Sequence, residues 1–142
     1  MKEQNFKNHA KMVTGYHYVT LPAILVLLIG AIYNLAKADQ EDGLAACLIL
    51  LSVFVLVLLS WFARGFALKA QDRAIRAEEN FRYYLATGKV FPTEIKMGQI
   101  IALRFAGDDE FVALTEKAIA ENLSNKEIKS LIKNWKADNY RA

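Results

Sequence analysis

Side chains able to do chemistry are few in this chain, and their spacing gives them little to do together. His9 and His17 are the only histidines and stand eight residues apart. No carboxylate or cysteine cluster accompanies them, and a zinc site usually takes about three or four protein ligands. They suit interfacial polar positions better than a metal centre. Cys47, the single cysteine, lies inside a long apolar run and can form no internal disulfide. No serine sits in a nucleophile elbow, and no Ser-His-Asp or Cys-His pairing can be drawn. Gly88 stands alone and Gly98 opens a helix, so there is no glycine-rich phosphate loop. Asp108-Asp109-Glu110 has the charge to attract a divalent cation, but acids at a helix start are better explained as partners of the helix dipole. The expectation is a non-enzyme with no metal and no cofactor.

The basic residues are more suggestive. Lys126, Lys129, Lys133 and Lys136 would fall within about 80° of one another on a continuous helix. They flank Ile128, Leu131, Ile132 and Trp135. Such a ridge is either a solvated face or a contact for anionic lipid, an acidic partner or RNA, each lysine contributing about 1 kcal/mol beside an anionic leaflet. Arg73, Arg76 and Arg82 are ambiguous in the same way, because Asp72, Glu78 and Glu79 neutralise them in part through helical pairs. Arg104, expected to be exposed, joins the candidate contacts, and so does Trp135 if it is not core; for Trp135 the competing expectation is a core anchor. Residues 93–142 sum to zero charge, which weakens a nucleic-acid role.

What must position these side chains is set by two uncharged apolar runs, Tyr18 to Ala36 and Gly43 to Ala63. At about 1.5 Å per residue, roughly 20 helical residues cross a hydrocarbon core of ~30 Å. Span two holds thirteen Leu, Ile, Val or Phe residues, enough to favour insertion by several kcal/mol. The short connection Lys37–Asp42 makes the two helices antiparallel neighbours, and Tyr16-His17-Tyr18 suits the headgroup layer. Ala23 and Gly30 on span one, with Gly43, Ala46 and Ser60 on span two, permit close approach. No Gly-x-x-x-Gly pair points to a homodimer, so homo-oligomerisation is left open. Ala36-Lys37-Ala38 has the form of a signal-peptide cleavage site, but the apolar run is long and a second follows, so an uncleaved anchor is expected.

Charge orients the hairpin. Net charge is +3: residues 1–17 sum to +2, the loop Lys37–Asp42 to −2, and residues 64–92 to +3. Lys and Arg concentrate on the cytoplasmic side, so both termini are expected in the cytoplasm. Neither span carries Asp, Glu, Lys, Arg or His, and one hairpin lacks the paired repeats of a carrier. Transport by this chain alone is not expected.

The fold class is therefore an all-α membrane protein. An N-terminal segment (1–17) precedes a two-span transmembrane helical hairpin (18–63). The second span continues into a cytoplasmic helix and turn (64–92), with Leu68, Ile75, Phe81 and Leu85 as a broken apolar stripe and Gly88 as its stop. A small three-helix domain (93–142) follows. Thr93 is expected to cap a helix through about Phe105. Phe111, Leu114 and Ile119 mark the core face of the next, and Ser124-Asn125-Lys126-Glu127 forms a capping box opening the third.

Several strings are similar to those of an uncharacterised family of short bacterial two-span membrane proteins: Asn5-Phe6-Lys7-Asn8-His9, Gln71-Asp72-Arg73, Gly98 through Ala106, Glu127-Ile128-Lys129 and Ile132 through Asp138. Thr14-Gly15-Tyr16-His17 stands where that family carries prolines and paired histidines. The resemblance implies a hairpin with a helical cytoplasmic tail and supplies no activity. The expected role is a non-catalytic accessory or scaffold subunit of a larger inner-membrane complex, in contact with lipid and other membrane-protein subunits. The alternative is a membrane-anchored adaptor binding anionic lipid, RNA or the ribosome through Lys126, Lys129, Lys133 and Lys136. A site shared across chains would be a third possibility.

Overall fold

The computed structural model describes residues 4–6, 8 and 12–138. Lys7 and His9, part of the opening string and of the histidine pair, lie outside the described residues. Among the described residues the protein is helical, with no strand beyond a single isolated bridge. The chain divides into two compact units: one runs Met12–Ala67, and the other joins the chain from Leu68 onward to the segment before Met12.

In the first unit a π-helical stretch, Gly15–Thr20, leads directly into α1, Leu21–Lys37. Pro22 explains the widened turn. Its ring collides with the carbonyl four residues back and it donates no N–H, and Leu21 accordingly bonds five residues back, to Tyr16 O. Asp39 Oδ1 then accepts from the N–H groups of Glu41 and Asp42 at 3.1 Å each, shaping the turn before α2 begins at Gly43. Only Ala31, Ala46 and Val53 are buried in this unit. Ala46 was expected at a close approach; Ala23 and Gly30 are exposed instead.

α2 runs without a break through Gly43–Thr87. Its second half is rich in Ala, Arg, Glu and Gln and contains no proline, so nothing in it interrupts helical hydrogen bonding. Gly88 ends it at φ +71°, the left-handed position where a Cβ is penalised, and donates to Tyr84 O at 2.7 Å. The apolar stripe expected on this half divides: Ile75 is buried with Glu79 and Tyr83, while Phe81 and Leu85 are exposed. The buried set recurs every four residues and packs into the tail, so this face was wrongly drawn through Phe81 and Leu85.

The tail contains α3 (Met97–Leu103), α4 (Asp108–Ala120) and α5 (Asn125–Leu131). α3 starts at Met97 rather than at Thr93, because Pro92 to Lys96 is taken up by a turn in which Ile95 N–H donates to Pro92 O at 3.3 Å. The core joins Ile75 and Tyr83 of α2 to Ile100, Leu103, Phe111, Leu114, Ala118 and Ile128. α4 ends with Asn122 at φ +49° and Leu123 N–H on Ala118 O at 3.0 Å. α5 carries the expected capping box, Ser124 N–H donating to Glu127 Oε2 at 2.7 Å and Glu127 N–H to Ser124 Oγ at 3.3 Å.

α5 stops early, and this is the main correction to the tail. Ile132 turns extended at ψ 123°, and Trp135 pairs with Ala106 as an antiparallel bridge. Gly107 N–H donates to Asn134 O at 2.7 Å and Lys136 N–H to Phe105 O at 2.8 Å. Lys133, Trp135 and Lys136 are not helical, so the ridge of Lys126, Lys129, Lys133 and Lys136 on one helical face does not form. Gly107 is required at this crossing: a Cβ there would lie 2.5 Å from Asp109 Oδ1, 3.0 Å from Asn134 Cβ and 3.1 Å from Asn134 O. Gly107→Ala should cost about 1–3 kcal/mol of tail stability. Thermal unfolding of the full-length protein in detergent measures this, and an unchanged midpoint would show that the bridge yields without cost.

Candidate functional site

The densest group of polar side chains lies where α2 meets the tail, and Arg82 is its centre. Its Nε and Nη2 lie 2.7 and 2.5 Å from Asp108 Oδ1, Nη1 lies 3.1 Å from Glu79 Oε2, and Nη2 also donates to Ala106 O at 2.7 Å. The guanidinium carbon sits 4.0 Å from the centroid of the Phe111 ring, adding a cation–π contact. Lys136 Nζ approaches Asp108 Oδ1 at 3.9 Å. Helical spacing presents Glu79 and Arg82 together, and the N-terminus of α4 brings Asp108 to meet them.

Arg104 forms a second pairing beside the first. Expected to be exposed, it is 8% exposed, with Nη1 3.1 Å from Asp138 Oδ2 and its guanidinium 4.7 Å from the Phe105 centroid. Trp135 is half-buried and stacks on Phe105 at 4.8 Å. Gln4 closes the far end: its Oε1 accepts from Asp138 N–H at 2.8 Å and its Nε2 donates to Asp138 O at 3.2 Å. Glu79, Arg82, Arg104, Asp108, Lys136 and Asp138 together line a cleft of about 520 Å³.

The carboxylates of this cleft are ionic cross-links of the chain to itself. The same holds for the acidic triplet. Asp108 takes Arg82, Asp109 accepts from the Asn134 side-chain amide, and Glu110 Oε1 accepts from the N–H groups of Lys133 and Asn134 at 3.0 and 2.9 Å. Sequence reasoning placed these acids at a helix start; it did not see that they also fix the segment after α5.

Of the other predicted residues, Arg73 and Arg76 are exposed on α2. Lys126 is exposed on α5, Lys129 Nζ lies 5.4 Å from the Phe105 centroid, and Lys136 turns toward Asp108. The four lysines do not share one helical face, although Lys133 and Lys136 border the same opening beside Asp108. His17 Nδ1 lies 3.0 Å from Val13 O, a local backbone contact. Sequence reasoning missed Gln99, which is 3% exposed and uses its whole amide: Oε1 accepts from Lys96 N–H at 2.9 Å, and Nε2 donates to Ala118 O at 2.8 Å and Leu123 O at 3.1 Å. Its signal was weak: a glutamine at the third helical position is half of a capping box, but Lys96 in front of it is not a capping residue type and the helix was expected to start at Thr93.

These features define a class: an all-helical protein in which two helices, Gly15–Lys37 and Gly43–Thr87, are long and apolar enough to cross a membrane. The chain belongs to the Family of unknown function (DUF6526), whose profile matches residues 1–142. No curated protein and no solved structure matches it.

Electrostatics of the cleft give it a pH signature. Burial pushes the Glu79 carboxyl above its ordinary value, outweighing the opposing pull of Arg82 and Lys136. The hydrogen bond and charge of Arg82 hold Asp108 below its own. A raised folded-state pKa means that the fold holds the Glu79 proton more tightly than the unfolded chain does. Its contribution to stability is full below about pH 4.5 and is lost as pH rises through the raised value. Asp108 acts oppositely, contributing above about pH 3.8 and losing that contribution as pH falls through its lowered value. Glu79→Gln should therefore gain stability relative to the parent chain as pH rises from 4.5, read by denaturant unfolding at a series of pH values; parallel curves would refute this. Arg82→Met, which leaves Glu79 buried without its ion-pair partner, should cost about 3 kcal/mol at neutral pH.

Proposed function

We propose that this is a small non-catalytic integral protein of the bacterial inner membrane, whose spans form a hairpin with both termini cytoplasmic and whose tail is an accessory or scaffold element of a larger membrane complex. The observation that carries this reading is the exposure of the apolar unit Met12–Ala67. Val26 is 70% exposed, Leu44 73% and Trp61 75%. Core helices of a water-soluble protein bury such side chains; here they are spread around helices with hardly any buried residue, as lipid-facing helices require.

Local contacts within this unit support the hairpin. Tyr16 Oη lies 3.4 Å from Ser60 O, and Arg64 sits 5.8 Å over the Tyr16 ring. An antiparallel hairpin with a short connection would bring the start of the first apolar helix beside the end of the second apolar run in this way. α2 has 45 residues, about 68 Å of helix against a hydrocarbon core of ~30 Å. A helix of that length outreaches one crossing, and the charged residues after Ala63 are those expected outside lipid. The ion pairs that tie α2 to the tail give the unit from Leu68 onward the rigidity a docking element needs.

The adaptor reading, in which Lys126, Lys129, Lys133 and Lys136 hold anionic lipid, RNA or the ribosome, has less behind it. Its four cations were to share one helical face, and the helix that would have carried them stops at Leu131.

Alkaline extraction followed by purification in a mild detergent tests the proposal. The chain should stay with the membrane pellet, and it should then co-purify in near-stoichiometric amount with one membrane complex. Recovery in the soluble fraction would overturn the membrane placement. Recovery from the membrane with lipid alone would overturn the accessory role and shift the weight to the lysines.

A further inference from the structure

The second half of α2 has two faces, and only one of them is used. Ile75, Glu79, Arg82 and Tyr83 pack into the tail. Away from that contact, Ala70, Ala74, Ala77, Phe81 and Tyr84 are all exposed, Phe81 by 61% and Tyr84 by 51%, with Leu85 beside them at 69%; Ala74, Phe81 and Leu85 also form the outer rim of the cleft that holds Glu79 and Arg82. The intervals along this set are 4, 3, 4 and 3 residues, the repeat that keeps one stripe facing one partner helix along a coiled coil. Val90 is exposed near Ala77, while Phe91, Ile95 and Phe111 turn into the core of the tail.

The charges beside the stripe say what covers it. With Ala74 and Phe81 at a positions and Ala70, Ala77 and Tyr84 at d positions, Arg73 falls at g and Glu78 at the following e, five residues on. In a parallel pair of helices, g of one chain faces the e five residues later in the other. Arg73 of each copy would meet Glu78 of its partner, twice by symmetry. In an antiparallel pair, g faces g and e faces e, so these opposite charges would not meet. Both side chains are exposed. Arg73 and Glu78 are thus complementary across a two-fold axis that runs along α2.

We propose that this face of α2 is the dimer interface of the protein: a second copy packs against Ala70, Ala74, Ala77, Phe81 and Tyr84, parallel and in register. Alanine at three of the five seam positions lets the helix axes approach to about 8 Å, and the aromatic pair closes the seam near Gly88. Two heptads are too few to hold isolated helices together in water. The parallel orientation and the closeness are supplied by the membrane, which fixes both copies the same way up; the proposal rests on the membrane reading in that respect. The interface is isologous, as a closed dimer requires.

The test uses the full-length chain in its own membranes, with Cys47→Ala to remove the native thiol. Single cysteines are placed at Ala77 on the seam and at Arg76 off it, and mild oxidation is followed by gel analysis. Disulfides need Cα atoms within about 7 Å, so Ala77→Cys should give a cross-linked dimer and Arg76→Cys at least about tenfold less. Arg73→Glu and Glu78→Arg should each lower the Ala77→Cys dimer yield by about fivefold, and the two together should restore it, since only the pairing sign changes. A membrane-bound chain that cross-links equally at Ala77 and Arg76, stays monomeric or joins a different protein through Ala77 overturns the dimer and leaves the membrane reading standing. An unchanged yield in both charge reversals overturns the parallel register. Recovery in the soluble fraction after alkaline extraction overturns the membrane reading and, with it, the orientation on which the dimer depends.

Discussion

Arg82 is the constraint on which the tail is arranged. A guanidinium has five donors in a fixed plane, and here four contacts with Asp108, Glu79 and the Ala106 carbonyl take up most of them while Phe111 covers one face. Each partner comes from a different piece of chain: α2 itself, the start of α4 and the link between α3 and α4. Satisfying them together sets the position of α4 along α2, which in turn decides where Phe111 and Leu114 enter the core. Burying Glu79 would be costly in isolation. The neighbouring cation makes it tolerable, and the residual penalty appears as a proton held more tightly than usual. The pair specifies an arrangement more than it adds stability.

Elements governed by local chemistry were legible in the sequence. The apolar runs, the short connection Lys37–Asp42, the long helix after Ala63, its stop at Gly88 and the Ser124–Glu127 capping box follow from composition and from positions with few alternatives. Gln99 was missed, because the helix was expected to start at Thr93 and Lys96 is not a residue type that marks a cap, and its two bonds into α4 and beyond are long-range. Long-range partners were out of reach. Arg104 looks like a surface cation from its neighbours in sequence, and only the return of the chain to Asp138 buries it.

Residues 132–138 show why local periodicity misled. Ile128, Leu131, Ile132 and Trp135 repeat at helical spacing, and the lysines between them complete an amphipathic pattern. A helix continued past Leu131 would satisfy that pattern and give up the backbone bonds at Phe105 and Gly107. It would also give up the two donors that Glu110 accepts from Lys133 and Asn134. In the bridge, Trp135 covers Phe105 and its backbone neighbours are paired. Propensity supplies a few tenths of a kcal/mol per residue, and a set of backbone bonds with an aromatic stack outweighs it.

The same comparison bears on α2, where periodicity also failed at first sight. One apolar stripe was drawn through Leu68, Ile75, Phe81 and Leu85, yet these residues belong to two faces. A helix with apolar residues on two sides reads as a broken stripe when a single partner is assumed. Ile75 and Tyr83 answer to the tail of the same chain. Phe81 and Leu85 lie outside that core and stay exposed at the rim of the cleft around Arg82. Folding the tail onto Ile75, Glu79, Arg82 and Tyr83 leaves the outer stripe exposed, with Arg73 and Glu78 on its two flanks. The intrachain ion pairs and the outward face are then two consequences of one helix: the first fixes what α2 carries, and the second leaves an ordered surface that this chain does not itself cover.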